Sequence, residues 1–414
     1  MAQVLVVGGG ASGMMAAGRA AECGANVVLL EKTPRLANKL RLTGKGRCNV
    51  TNQSELNDFV AHFGDTGRFL YGAFSRFFVP DLLSFLNQRG VTTVVERGGR
   101  VFPASNDARQ VGDALEGYLV SNKVRIQRNY AVDQILVESG RVKGLASRGH
   151  ELAGAAVILA TGGASYPKTG STGDGFRLAA AAGHHLIPIR PALIPLVATE
   201  NWVKDLQGLS LRSVEATLFC GEKAIARGLG EMLFTHFGVS GPIVLSLSKR
   251  AVDALHGGRV TLRLNLMPGS TEQELERDVR QQLEKQARRQ VESVLCALVA
   301  ARIAAVIVSQ AHVAPGKPGH QVTAAEQRRL VGLMQDLRLT ISGYRPIDEA
   351  IITAGGVDTR EVNPRTMEST LVRGLYFCGE VLDIDADTGG YNLQAAFSTG
   401  YLAGESAALA CRER

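Results

Sequence analysis

The chain has 414 residues, 45% of them hydrophobic, and its 46 Lys and Arg outnumber 39 Asp and Glu to give a formal net charge of +7. That length exceeds the usual single-domain size and that apolar fraction can bury a large core, so two or three domains are expected. The 6 cysteines are scattered without C-x-x-C spacing, which argues against a zinc site, or any metal site, and against a redox-active disulfide.

The opening residues carry no charged n-region and no cleavage site, so no export signal is expected, and a reduced, cytoplasmic setting fits. Val4 to Val7 predict a strand that runs into Gly8, Gly10 and Gly13. Gly8 permits the tight strand-to-helix turn, Gly10 lets the backbone approach a pyrophosphate, and Gly13 allows close helix-strand packing. Ala11 and Ser12 then open a helix whose N-terminus suits a diphosphate. A second strand over residues 26–30 ends in Glu31, placed to hydrogen-bond ribose hydroxyls and to repel a 2′-phosphate. Strand, glycines, Ala-rich helix, strand and acid in that order predict a dinucleotide site, one that suits NAD and FAD equally.

Next comes a run of cations, Lys32, Arg35, Lys39, Arg41, Lys45 and Arg47, with no acid until Glu55. It reads as an electropositive wall beside the cofactor, as charges that neutralise a diphosphate, or as ordinary surface. Partitioned along the chain, residues 1–189 carry 21 basic and 14 acidic side chains, residues 190–340 carry 19 and 14, and residues 341–414 carry 6 and 11. On charge alone an RNA partner is open, and no RNA-binding module is recognisable by motif.

Residues 155–160 form a short apolar run entering Thr161, Gly162 and Gly163, a third strand-to-glycine turn. The segment 170–175 has glycines but no strand before it, so no second Rossmann domain is available to hold NAD(P)H durably. His184 and His185 follow a helix end and are given no role. Pro188, Pro191 and Pro195 mark an exit into alternating stretches such as 214–219 and 259–265, which predict antiparallel strands. Within that part, Thr235 and His236 precede Ser240-Gly241-Pro242, read as an N-cap with Pro near N1 of a helix whose free N–H groups could bind a phosphate or a pyrimidine carbonyl. Residues 272–298 carry helix-period apolar positions, and the apolar stretch 294–308, interrupted by Arg302, is too short to span a bilayer and reads as a buried helix. The plan is α/β, with a Rossmann-like domain over 1–188 and 357–414, an inserted β domain over 189–269 and 338–356, and a nested helical subdomain over 270–337.

In the tail, residues 375–378 read as a buried strand ending in Gly379 and Glu380, which places a carboxylate where a ribityl hydroxyl can be held. Asp383, Asp385 and Asp387 lead to Gly389 and Gly390, a turn into a helix that starts with Tyr391, Asn392, Leu393 and Gln394. That helix N-terminus suits the N1 and O2 edge of a flavin, where positive dipole and free N–H groups stabilise the charge of the reduced ring. With this tail, the opening fingerprint becomes a flavin site. Taken alone, the four acids could be a solvated loop.

The stretches Gly44-x-Gly-Arg-Cys-Asn-Val-Thr-Asn52, Arg100-Val-Phe-Pro103, residues 160–175, residues 233–242, residues 353–357, residues 362–369 and the tail resemble the BaiN/RdsA family of flavoproteins. Lys45 departs from the pattern, standing where such loops commonly carry glycine. The resemblance implies a glutathione-reductase-like FAD-binding domain with noncovalent FAD, to which Lys32, Lys39, Thr43, Gly44, Gly46, Arg47 and Asn49 are assigned with the glycine turns. It implies reduction of a conjugated carbon-carbon bond, in one branch of a ribosomal RNA uridine and in another of a bile-acid enone. NAD(P)H is then the transient reductant, and Arg41, Lys45, Thr235, Ser240 and Gly241 are candidate substrate contacts. Cys48, whose loop lies where the family's flavin ring is expected, is the candidate proton donor, or else a small residue packed under the ring, and His236 is its rival. Three functions stay open: a ribosomal RNA dihydrouridine synthase, a small-molecule ene-reductase or amine oxidase, and a flavin-binding assembly factor without turnover.

Overall fold

In the computed structural model, which describes residues 3–412, the chain divides into two compact units. One comprises the chain up to Ala192 together with Ile347 onward, and the other is Leu193–Pro346.

At the centre of the first unit is a five-stranded parallel sheet in the order Leu375–Phe377, Ala156–Leu159, Gln3–Val7, Asn26–Glu31, Arg125–Arg128. Strands buried on both faces of a parallel sheet must be apolar throughout, and Leu5, Val6, Ile158, Leu159 and Phe377 are all 0% exposed. The strands ending at Val7, Leu159 and Phe377 are neighbours and parallel, so the three glycine turns that follow them share one edge. Two helices, Ala11–Glu22 and Tyr391–Arg412, pack together backbone to backbone. A Cβ on Gly400 would lie 2.3 Å from the Ser12 carbonyl oxygen, and one on Gly404 would lie 2.2 Å from that of Ala16. Their i, i+4 spacing opens one smooth stripe on the later helix. Farther along, Arg19 and Arg76 both pair with the mostly buried Glu405.

The strand Ile352–Val357 pairs antiparallel with Leu186–Ala192 inside this first unit. The return into the nucleotide-binding unit therefore comes at Ile347, ten residues ahead of the expected 357. Strand pairing decided this, and pairing across some 160 residues leaves no local mark.

The second unit is built on a closed six-stranded barrel, in the order Leu196–Ala198, Gly238–Ser240, Lys223–Phe234, Ser210–Cys220, Val260–Asn265, Leu337–Tyr344, with the last strand pairing back to the first. Inward residues alternate with outward ones, as Val260, Leu262 and Leu264 show. The helices Glu272–Lys285, Val291–Leu295, Ala301–Gln310 and Ala324–Gln335 do not form a core of their own. Leu275, Val279, Ile307 and Leu330 share one cluster with Leu262, Leu264 and Leu339 of the barrel. The apolar stretch 294–308, expected as one buried helix, is two, broken where Ala300 is extended at φ −59° and ψ 140°. Among the described residues no single helix is long and apolar enough to cross a membrane.

Candidate functional site

The glycines of the opening turn separate by what excludes a side chain from each. Gly8 has φ +106°, and a Cβ there would lie 2.5 Å from the Ala160 carbonyl oxygen. At Gly13 a Cβ would lie 1.9 Å from the Gly8 carbonyl oxygen. Both glycines are demanded by the fold itself. Gly10 differs: its φ of −82° is open to any residue, and a Cβ there would meet nothing within 4 Å. Open space therefore lies beside it, at the start of the helix that carries Ala11 and Ser12. Behind the turn, the mostly buried Glu31 carboxylate accepts from the Gly9 N–H at 2.7 Å and from the Thr33 N–H and hydroxyl, both at 2.7 Å. Four acceptor directions are available to a carboxylate, so Glu31 braces the turn and keeps capacity for one further donor.

The cation run does not form a free electropositive wall. Lys32 pairs with Asp174 at 2.6 Å, Lys39 with Glu380 at 2.6 Å, and Arg41 with Asp113 at 2.9 Å and Glu116 at 3.0 Å. Arg47 pairs with Glu96 and lies over the Phe102 ring at 4.2 Å. The acids come from distant parts of the sequence, which is why the run looked unbalanced. Arg35 and Lys45 remain exposed. Burial pushes the Asp174 carboxyl up, but the bond and charge of Lys32, with the Thr172 bond and the Arg177 charge, together outweigh it and leave the carboxyl below the ordinary carboxylate value.

The loop after that run is a succession of left-handed residues: Gly44 at φ +59°, Lys45 at +59°, Gly46 at +84° and Cys48 at +60°. Lys45 thus adopts a conformation that glycine takes at lower cost, the physical content of its departure from the family pattern. Cys48 is 0% exposed, and burial pushes its thiol up to about 12, against a small opposing effect of a hydrogen bond to Thr43. Such a thiol is held neutral and enclosed, which favours packing over proton donation. Nearby in sequence, the Asn49 side-chain oxygen is buried without a partner, as is the hydroxyl of Thr161 at the end of the neighbouring sheet strand. Buried polar atoms are ordinarily satisfied, so both suit a polar ligand. Gly162 follows at φ +72°.

At the third turn the Glu380 carboxylate accepts from Lys39, from the Thr353 N–H at 2.8 Å and from the Ser165 hydroxyl at 3.2 Å, and like Glu31 it keeps capacity for one further donor. Gly379 has φ +75° and donates its N–H to the Thr399 hydroxyl at 3.0 Å. The amides of two expected contacts serve the protein instead. Asn392 bonds the N–H and carbonyl of Ala386, both at 2.9 Å. Gln394, 0% exposed, accepts from the Thr51 hydroxyl at 2.7 Å and donates to Ser398 at 3.0 Å. Gly390, at φ +102°, lies so close to the strand carrying Thr51 that a Cβ would approach its carbonyl oxygen to 2.4 Å. The helix start at Tyr391, Asn392 and Leu393 is thereby fixed with its first N–H groups outside the helical ladder. Asp383 donates its N–H to the Val357 carbonyl at 3.0 Å, and Asp385 is mostly buried. The acidic stretch is therefore a folded turn.

One pair in this turn escaped the sequence reading. The His62 ring is bonded through Nδ1 to Asp387 at 3.0 Å and stacks on the Tyr391 ring at 3.9 Å and 22°. His62 and Asp387 are 325 positions apart, and no local pattern announces their meeting. Burial pushes the Tyr391 hydroxyl up, opposed by its contact with Ser54.

The candidates on the barrel unit are grouped by one hairpin end. Thr235 donates its N–H to the Gly238 carbonyl at 2.9 Å, and its hydroxyl is buried without a partner. His236 is exposed, edge-on to Phe237 at 4.9 Å. The helix Pro242–Ala254 is entered from Gly241, at φ +94°, with no side-chain cap. Ser240 lies in the preceding strand and does not cap it.

A profile of the family described as HI0933-like protein Rossmann domain matches residues 2–406. A protein named 3-dehydro-bile acid delta(4,6)-reductase, from Clostridium scindens, is 32% identical over 413 residues, covering 99% of this chain and 99% of its own. A protein named ribosomal RNA dihydrouridine synthase, from Escherichia coli, is 28% identical over 398 residues, with 96% of each chain covered. Among solved structures, a 3-ketosteroid delta1-dehydrogenase from Sterolibacterium denitrificans matches with a TM-score of 0.54 at 13% identity, over 99% of this chain and 100% of that one. That likeness is one of fold: a Rossmann-like FAD-binding domain with an inserted sheet domain.

Proposed function

The chain belongs to the HI0933-like Rossmann family, a family of FAD-dependent oxidoreductases, and on that premise we propose that it reduces the C5=C6 bond of a uridine in large-subunit ribosomal RNA. NAD(P)H is its transient reductant. The observation that carries the cofactor assignment is Gly10, where the backbone tolerates any residue and the space beside it stays open.

The residues fit the group. The N–H groups at Gly10, Ala11 and Ser12 would hold the diphosphate, and the remaining acceptor direction of Glu31 would take a ribose hydroxyl. The loop from Thr43 to Asn49 and the hydroxyl of Thr161 would line the ring with otherwise unpartnered oxygens. The helix start at Tyr391 would place N–H groups and positive dipole against its pyrimidine edge. When bound, the flavin supplies hydride transfer to one carbon of the double bond. The protein must then supply a proton to the other carbon and stabilise charge developing on the adjacent carbonyl.

Support for RNA comes from the barrel unit. Arg280, Lys285, Arg288 and Arg289 are all exposed, with Glu284 the one acid among them, a surface suited to phosphates. A small conjugated enone is the second reading, favoured by the internal pairing of Lys32, Lys39, Arg41 and Arg47. Mass spectrometry of ribosomal RNA from cells with and without this protein decides between them. We expect one uridine to lose a two-hydrogen mass increment when the protein is absent. Identical masses, together with reduction of a 3-oxo-4,6-diene steroid by the purified protein, would replace RNA with the small molecule.

A further inference from the structure

We propose that His62, oriented by Asp387 and stacked on Tyr391, is the acid that delivers the proton to the double bond; the assignment rests on the flavin-reductase reading.

The titratable groups of the first unit leave few donors. Cys48 and Cys378 are both 0% exposed. His184 has both ring nitrogens occupied, by Glu361 at 3.1 Å and Ser369 at 2.9 Å, and its side chain is 0% exposed. His62 combines what they lack. Its Nδ1 is held by Asp387, its Nε2 has no hydrogen bond among the described residues, and its side chain is 29% exposed. A carboxylate on one ring nitrogen fixes the orientation of the imidazole and leaves the other free to give and take a proton.

Position supports the role. His62 touches both ends of the turn from Asp387 to Tyr391, the turn that contains Gly389 and Gly390 and opens the last helix. The Asp387 N–H also reaches the His62 carbonyl at 3.4 Å. Tyr391 is also met edge-on by Phe59 at 4.7 Å. The charged and titratable groups around this stack are Asp387, the Tyr391 hydroxyl with its partner Ser54, and Asp58, which acts on Tyr391 through space.

In the step itself, the Nε2–H bond of the imidazolium breaks and a C–H bond forms at the carbon next to the carbonyl. A bound flavin, reduced beforehand by a nicotinamide, would supply the hydride for the second C–H bond and be oxidised in doing so. The neutral imidazole then recovers its proton from water.

The test uses the full-length flavin-loaded protein and two probes, unmodified 23S ribosomal RNA and a 3-oxo-4,6-diene steroid, with flavin reduction by NAD(P)H and reoxidation by the probe followed separately. His62→Gln should keep its flavin and its rate of reduction, while reoxidation slows by about a hundredfold and loses the fall in rate that the wild type shows as pH rises. His62→Ala should regain reoxidation rate with added imidazole. In parallel, imidazole ¹⁵N shifts should report the Nδ1–H form of His62 and its loss in Asp387→Asn, a readout independent of turnover. Reoxidation of His62→Gln within about threefold of wild type, with the same pH profile, overturns the proposal alone. A wild-type protein that binds no flavin, or reduces neither probe, overturns the functional reading and this proposal with it.

Discussion

The glycine turn at residues 8–13 and the cation run at residues 32–47 are close neighbours in sequence, and they yielded to inspection very differently. In the turn, the positive φ of Gly8 and the approach of Gly13 to the Gly8 carbonyl are local, with the Ala160 carbonyl adding to the first, so spacing alone identified the element. In the run, the deciding partners are Glu96, Asp113, Glu116, Asp174 and Glu380, none of them local. Backbone requirements are short-ranged and leave a pattern. Electrostatic neutralisation is a tertiary event, and a one-dimensional charge count overstates the free charge.

The largest effect expected from this comparison separates two glycines three residues apart. Gly13→Val places carbon 1.9 Å from a carbonyl oxygen or nearer, so loss of the folded protein is expected, at a cost above about 4 kcal/mol. Gly10→Val meets open space, and its flavin-free form should melt within about 0.5 kcal/mol of flavin-free wild type. Flavin absorbance after purification should nonetheless be lost. Full flavin retention in Gly10→Val would show that the open space beside this residue holds no diphosphate.

Next in size is the tertiary staple of the same unit. Burial pushes Glu405 up, but bonds from Arg19 and Arg76 outweigh it and hold the carboxyl below its ordinary value. A depressed carboxyl contributes stability that is complete above its unfolded-state value and lost as pH falls through its folded-state value. Glu405→Gln should therefore cost about 2 kcal/mol at neutral pH and progressively less in acid. Equal destabilisation by Glu405→Gln at neutral and strongly acid pH, in denaturant titrations, would assign the effect to packing.

Cys48→Ala should change reoxidation of the reduced flavin by substrate by less than about threefold, where loss of a working acid costs about a hundredfold or more. Thiol labelling of the folded protein should reach the exposed Cys296 and spare Cys48. A hundredfold slowing in Cys48→Ala would restore the thiol as proton donor. The smallest effects belong to the cation run. Arg41→Ala should shift stability by less than about 1 kcal/mol and leave the salt dependence of RNA binding unchanged. The exposed Lys45→Ala should lower the log-log salt slope by at most about one unit, and a larger change for Arg41 would mean that its acid partners release it to RNA.

Much of the first unit was determined by the sequence alone. Val4 to Gly13, Glu31, the glycine turn at Gly162 and the tail from Gly379 to Gln394 depend on strand length, positive φ and helix entry, all short-range and periodic. Tertiary structure decided the rest. The closing of six short strands into a barrel, the sharing of one core between that barrel and its helices, and the return to the first unit at Ile347 depend on pairings between distant segments. So do the meeting of His62 with Asp387, the enclosure of Cys48, and the diversion of Asn392 and Gln394 into the protein's own hydrogen bonds. A side chain's partner is chosen by where the backbone brings it, and that choice is made only after packing, which no local spacing records.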